Sequence, residues 1–207
     1  LIAEKGVHHL IAALAATTQP ISEVVIVGYG GDEEQIVELA RAVERADRGG
    51  ALEIAARMSL SNHLIDWLKR APDASRRAMP PIRFTGRLEH GPLSHVLPTF
   101  DVLVVPSIVH EAFGMVAAEA AACGVLPLVP DHSGIAEAGE ALEEHFGTPG
   151  LLTFDRNDPI TGIAAGLDRI LGLPPERRLA LGAMASELAT QLWSWDGVAE
   201  RLLEAAE

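Results

Sequence analysis

Two carboxylates bracket a Phe-Gly step. Glu111 and Glu119 stand eight positions apart in the segment from Pro106 to Gly124, PSIVHEAFGMVAAEAAACG. Ala, Met and Val from Met115 to Cys123 favour a buried helix that starts close to Gly114. A helix start presents unpaired backbone N–H groups and positive potential, which suits a phosphate or another anion. Glu111, just before that start, reads equally as a helix-start acid favoured by the macrodipole and as a ligand carboxylate. Glu119 has Met115, Val116, Ala122 and Cys123 at i−4, i−3, i+3 and i+4, so the pattern sets its carboxylate on a stripe that reads as buried. An unpaired buried carboxylate is costly and needs partners. Hydroxyl groups of a sugar or ribose would serve, as would an internal Arg or backbone N–H.

Other segments carry weaker signals. Gly28-Tyr29-Gly30-Gly31 matches only the opening of the dinucleotide fingerprint, because Glu33 stands where the third glycine belongs. The turn therefore reads either as a close approach to a ligand or as a plain strand-to-helix connection. In Asp131-His132-Ser133-Gly134, the Asp and Ser suit helix capping, while His132 fits a surface residue and a ligand contact equally well. The eight histidines include no His-Glu-x-x-His spacing, and His8 and His9 are expected on different sides of a helix, so no metal is predicted. There is no G-x-S-x-G elbow. Arg76 and Arg77 fit a solvated loop better than an anion site.

These residues need strands and helices to position them. Val7, Leu10, Ile11 and Leu14 have helical spacing, closed by Pro20. Apolar runs at Val24 to Val27, Ile82 to Thr85, Val102 to Val105 and Val125 to Val129 read as strands, with a weaker one at Leu151 to Phe154. Helical periods lie between them, at Ile36, Leu39, Ala40 and Val43 and again at Ile160, Ile163, Ala164, Leu167 and Ile170. Alternating elements with doubly buried strands predict a Rossmann-like three-layer α/β/α domain with a mainly parallel sheet. The stretch from Ala46 to Pro81 is too long for an ordinary connection and reads as an insertion with a helix at roughly Leu52 to Lys69. After Pro174 the pattern is helical, with a break near Trp195-Asp196-Gly197, so residues 1–192 form the domain and 193–207 a terminal helix.

Composition bounds the function. With 207 residues, 48% hydrophobic and 22% charged, the chain can bury a sizeable core. Its formal net charge of −13, with no basic block, disfavours nucleic acid and anionic membrane surfaces but not a small phosphorylated ligand. Cys123 is the sole cysteine, which removes intramolecular disulfides and Cys-based metal clusters and suits a reducing cytoplasm. No run is long and apolar enough for a membrane span, and no signal peptide is visible. A start at Leu1 rather than Met reads as a piece of something longer.

Several segments together carry a likeness. Lys5-Gly6 before a Leu/Ile helix, Val27-Gly28-Tyr29-Gly30, Phe84-Thr85-Gly86 and Val104-Val105-Pro106-Ser107 come first. Glu111-Ala112-Phe113-Gly114 through Glu119-Ala120 and Gly124, then Asp131 to Glu137, complete the series. In this order they resemble the carboxyl-terminal domain of family 4 (group 1) glycosyltransferases of the GT-B fold. The resemblance implies the donor-binding half of a retaining, metal-independent transferase of the hexosyltransferase type, using a nucleotide-diphosphate sugar as substrate and no cofactor. By matching position, Lys5 would contact the diphosphate and Glu111 the donor sugar hydroxyls. The backbone at Phe113, Gly114 and Met115 would approach sugar and phosphate, with Val116 nearby. Glu119 would hold the ribose, and Gly86 and Arg87 would lie beside the base.

That family places Gly-Arg, and a strand before it, immediately ahead of the segment that opens this chain. Without them a central member of a 3-2-1-4-5-6 sheet and one diphosphate cation are missing, so upstream polypeptide is expected and the piece alone should be inactive. Its partners would be the nucleotide sugar and an amino-terminal acceptor domain, toward which the terminal helix would return. Leu126, Pro127 and Ser133 depart from the family's usual residues. The alternatives are a nonhydrolysing sugar-nucleotide epimerase of the same architecture, a non-catalytic nucleotide-sugar binder, and a dinucleotide-dependent oxidoreductase that the Glu33 mismatch disfavours.

Overall fold

The computed structural model describes residues 1–70 and 79–204; Arg76 and Arg77 lie outside the described residues. Strands β1 (Val24–Val27), β2 (Ile82–Gly86), β3 (Val102–Val104), β4 (Leu126–Pro130) and β5 (Thr153–Phe154) all pair in parallel. They form two sheets, β1-β2 and β3-β4-β5, rather than one. The division falls where the expected strand order leaves a central position open. Helices bridge it. Helix α1 (Val7–Ala16), apolar on nearly every side, puts Leu10, Ala13 and Leu14 into a core that Val24 of β1 and Val102 and Val104 of β3 also join.

Helix α2 (Glu33–Glu44) follows the turn after β1 and buries Ile36, Leu39 and Ala40. The expected helix from Leu52 to Lys69 is instead two, α3 (Arg48–Arg57) and α4 (Asn62–Arg70). Ser59 breaks the run with a left-handed φ of 52°, and Ser61 accepts the Leu64 N–H to start α4. Both helices are fixed to the main core through Ala51, Ala55, Leu64 and Leu68. Helix α5 (His90–Val96), which has no clear apolar period, links β2 to β3.

Helix α6 (Met115–Ala122) follows β3, α7 (Ser133–Phe146) follows β4, and α8 (Pro159–Leu171) follows β5. Each strand therefore delivers the chain to a helix start at one edge of the sheet, the edge where ligands bind in open α/β folds. Helix α9 (Pro175–Trp193) packs on α6 and α7. The final break comes at Ser194, and Trp195 to Gly197 already belong to α10 (Trp195–Glu204). Ser194 has an extended backbone, and its hydroxyl accepts the Gly197 N–H at 3.0 Å, so it caps the last helix.

Candidate functional site

Lys5 ends a 3₁₀ turn, Ala3–Lys5, and Gly6 follows in the left-handed region at φ 68°. A side chain on Gly6 would run into the Pro106 carbonyl, so glycine is what lets the Lys5 turn sit on the end of β3. The Ile108 N–H donates to the Glu4 carbonyl at 3.1 Å and joins the two loops. Across this junction Lys5 Nζ donates to Glu111 Oε1 at 2.9 Å. The pair unites residues 106 positions apart in sequence.

Glu111 is gripped on its other side by the start of α7. Its N–H donates to Ser133 Oγ at 3.2 Å, and its carbonyl accepts the Gly134 N–H at 3.0 Å. A side chain on Gly134 would collide with the Ala112 carbonyl. Asp131 and Ser133 do not cap α7: His132 holds the N-cap position with no side-chain bond to the helix backbone, its ring Nδ1 lying 3.1 Å from Ser133 Oγ, and Asp131 Oδ1 accepts the Arg156 N–H. Burial alone would raise the Glu111 pKa, but the Ser107 hydroxyl, the Lys5 ammonium and His132 outweigh it and hold the carboxyl below its ordinary value. Glu111 is therefore ionised at neutral pH beside a lysine that is half exposed.

Gly114 is the N-cap of α6, with φ 67°, and a Cβ there would lie 2.6 Å from Ile135 Cγ1. The Phe113 ring sits edge-on to Trp193, 5.9 Å between centroids, which holds the loop against α9. At the first turn of α6, Met115 is 68% and Val116 36% exposed. Their N–H groups make no hydrogen bond among the described residues, as expected of a helix start. The helix thus opens as an amide-rich surface beside Lys5 and Glu111.

Glu119 is placed differently from the sequence expectation. The stripe it shares with Met115 and Val116 is the open side of α6, while Ala117, Ala118, Ala120 and Ala121 form the buried side. A helix that is alanine or another apolar residue nearly all round gives no periodic signal to tell the two faces apart. Glu119 is half-buried, and no side chain or backbone group pairs with its carboxylate among the described residues. The internal Arg partner considered for it is absent among them. Its carboxylate is free one turn beyond the open amides.

Gly86 and Arg87 lie at the end of β2, in the other sheet. The Gly86 carbonyl accepts the Gly28 N–H at 2.9 Å, Arg87 Nε pairs with Glu89 Oε1 at 2.9 Å, and its guanidinium sits 5.7 Å from the Tyr29 ring centroid. Among the described residues no bond ties Arg87 to Lys5, Glu111 or α6. The glycine turn after β1 is filled by the chain itself. A side chain on Gly30 would meet the Leu1 backbone, and Asp32 donates its N–H to the Leu1 carbonyl at 3.0 Å. A dinucleotide cannot make the close backbone approach there while Leu1 occupies it.

The structure also brings in residues that no sequence motif assigned to the site. Ser133 fixes the Glu111 backbone, Trp193 supports Phe113, and Ser107 faces the Glu111 carboxylate. Ser133 carried one signal, its place after a strand and before a helix. His8 and His9 are both buried with their rings 4.1 Å apart, not on opposite sides of α1, because that helix is enclosed almost all round.

A cation, an ionised carboxylate, open helix amides and a second free carboxylate, on a parallel α/β frame, form a surface for a polar, anionic ligand. The profile of the family described as "Glycosyl transferases group 1" matches residues 74–187. The chain belongs to the group 1 glycosyl transferases. It is 30% identical over 198 residues to a glycogen synthase of Mycobacterium tuberculosis, covering 95% of this chain and 38% of that one. It is 34% identical over 172 residues to a D-inositol 3-phosphate glycosyltransferase of Thermomonospora curvata, covering 76% of this chain and 37% of that one. This group 1 chain therefore spans under two-fifths of the length of those relatives. In fold it is similar to the catalytic domain of cholesterol-alpha-glucosyltransferase from Helicobacter pylori, with a TM-score of 0.61, 18% identity and 91% of each chain covered. It also resembles the Anabaena HepE protein crystallised with UDP and glucose, at a TM-score of 0.62 and 18% identity, covering all of this chain and 46% of that one.

Proposed function

We propose that this chain is the donor-binding half of a metal-independent, retaining glycosyltransferase that works in the cytoplasm and takes a nucleotide-diphosphate sugar. The observation that carries the reading is the Lys5–Glu111 pair set beside the open first turn of α6, with the unpaired Glu119 carboxylate one turn further on. A diphosphate placed there meets the amides of Met115 and Val116 and the Lys5 ammonium. These groups stabilise negative charge as it develops on the leaving nucleotide, a role a metal ion would otherwise fill. Glu111, held ionised, accepts hydrogen bonds from the donor sugar hydroxyls, and Glu119 accepts those of the ribose. During transfer the bond from the anomeric carbon to the β-phosphate oxygen breaks. The acceptor oxygen bonds to the same face of the sugar, and the acceptor proton passes to the departing diphosphate.

Transfer needs an acceptor surface and a second cation. By this reading a further domain supplies most of the acceptor surface, so the 207-residue piece binds donor without turning it over. Calorimetric titration of the chain with UDP, GDP, ADP and NAD tests the proposal. One nucleoside diphosphate binding more tightly than NAD supports it. Tighter binding of NAD than of all three diphosphates overturns it in favour of an oxidoreductase.

A further inference from the structure

A cavity of about 330 Å³ opens at the carboxyl ends of β3, β4 and β5, lined in part by Pro106, Pro130 and Phe154. Its polar wall is unusual for this protein. His9, His63, His110, His132 and Arg156 contribute to the lining, and no Asp or Glu does, in a chain with 29 acidic residues against 16 Lys and Arg. Nearby acids are turned to other work. Asp131 Oδ1 accepts the Arg156 N–H, Asp155 Oδ1 accepts from Asn157, and Asp158 caps α8 through the Thr161 N–H. The Arg156 guanidinium has no partner among the described residues.

Two buried groups in the wall lack partners. Ser107 is 2% exposed and His9 0%, and neither Ser107 Oγ nor His9 Nδ1 makes a hydrogen bond of good geometry with any protein group. Ser107 Oγ faces the Glu111 carboxylate but makes no hydrogen bond to it within ordinary distance and angle limits. His9 Nε2 lies 2.5 Å from Ser61 Oγ, which fixes the ring and leaves Nδ1 unmatched. Buried polar atoms without partners are rare in folded proteins and mark places where a ligand or water completes the set. Helix starts converge on the same space, since His63 lies in the first turn of α4, His132 is the N-cap of α7 and Pro159 begins α8. Their amide dipoles add positive potential to that of Arg156. Among the described residues no three His, Cys, Asp or Glu side chains are placed to hold a metal ion, so the cluster is not a cation cage.

We infer that this cavity is a second anion site, separate from the α6 amides, that takes a phosphomonoester dianion on Arg156, His63 and the unmatched Ser107 hydroxyl. The cavity carries the site by itself. Its assignment to a phosphorylated acceptor rests on the transferase reading above, with Ser107 and His132 joining the cavity to Glu111. A phosphate held there would place the rest of the acceptor molecule at the reacting carbon.

The test uses the full 207-residue chain and isothermal titration with inorganic phosphate and with glucose 6-phosphate at pH 7.5. Arg156 and His63 are exposed, so Arg156→Gln and His63→Gln leave the core untouched. The expected result is binding that Arg156→Gln weakens about tenfold or more, as loss of a charge-assisted bond requires, while saturating UDP leaves it in place. Phosphate that binds equally well to Arg156→Gln, that UDP displaces completely, or that does not bind, overturns the proposal. Glucose 6-phosphate binding at least tenfold tighter than phosphate points to an acceptor, and equal affinity points to free phosphate as the natural occupant. Failure of UDP to bind contradicts the donor reading alone and leaves the phosphate result standing.

Discussion

Glu111→Gln separates two effects of one carboxylate. In the unliganded protein Glu111 holds Lys5 at 2.9 Å, so a diphosphate must share that ammonium with it. The lysine side chain is 51% and the glutamate 20% exposed, and such a pair is worth about 0–1 kcal/mol after solvent screening. Removing the negative charge should therefore tighten binding of a bare nucleoside diphosphate by up to about fivefold. A nucleotide sugar behaves in the opposite sense, because Glu111 also accepts from its hydroxyls. Loss of a hydrogen bond to an ionised group costs about 1.5–3 kcal/mol, roughly 10- to 150-fold. The assay is calorimetry of wild type and Glu111→Gln with UDP and UDP-glucose, or with the pair built on whichever base binds best. The ratio of the two dissociation constants should move by at least tenfold toward the bare nucleotide. An equal effect on both ligands would refute the idea that Glu111 faces the sugar.

Other perturbations probe the frame of the site. Gly114→Ala forces a Cβ at φ 67° against Ile135, including its backbone Cα at 3.2 Å. Left-handed strain and overpacking should together cost about 2–4 kcal/mol and lower Tm by roughly 4–16 °C; an unchanged Tm in scanning calorimetry would contradict the packing described. Acidification should destabilise the chain through α1. Burial pushes His8 down to about 4, and burial with the neighbouring His8 and His63 pushes His9 to about 3, from an ordinary value of 6.5. The unfolded chain takes up protons that the folded chain refuses, so stability falls as pH drops below 6.5 and levels off near pH 3. At pH 5 each histidine costs about 2 kcal/mol, and a pH-independent Tm between 7 and 5 would show that these rings are not enclosed. Glu119→Ala should weaken nucleoside diphosphates by about 1–3 kcal/mol and inorganic diphosphate not at all, measured by the same titrations. Equal affinities would remove Glu119 from the ribose.

Much of the frame was legible because its signals are local. The run Val24 to Val27 is β-branched and bounded by Glu23 and Gly28, and β1 has those bounds. Gly114 after Phe113 marked the start of α6, where the backbone does turn left-handed. The division between α3 and α4 was not legible, since a single positive φ at Ser59 decides it and serine does not announce that conformation. The site was legible in part. Lys5 and Glu111 were matched to one ligand through family likeness, and the structure brings them into contact. The burial of Glu119 was misread because α6 is apolar on both faces, and only packing against β4 and α9 selects the inner one. Arg87 stands with Tyr29 and Glu89 in the other sheet, a placement set by long-range pairing that no local pattern encodes. The histidine-lined cavity collects side chains from α1, α4 and the ends of three strands, so nothing short of the fold reveals it.

The most direct measurement is a crystal structure of the chain with the tightest-binding nucleoside diphosphate. The account predicts the diphosphate on the amides of Met115 and Val116 within reach of Lys5 Nζ, and ribose hydroxyls on the Glu119 carboxylate. A nucleotide seated instead against the turn from Gly28 to Gly31, with Leu1 displaced and α6 bare, would contradict it.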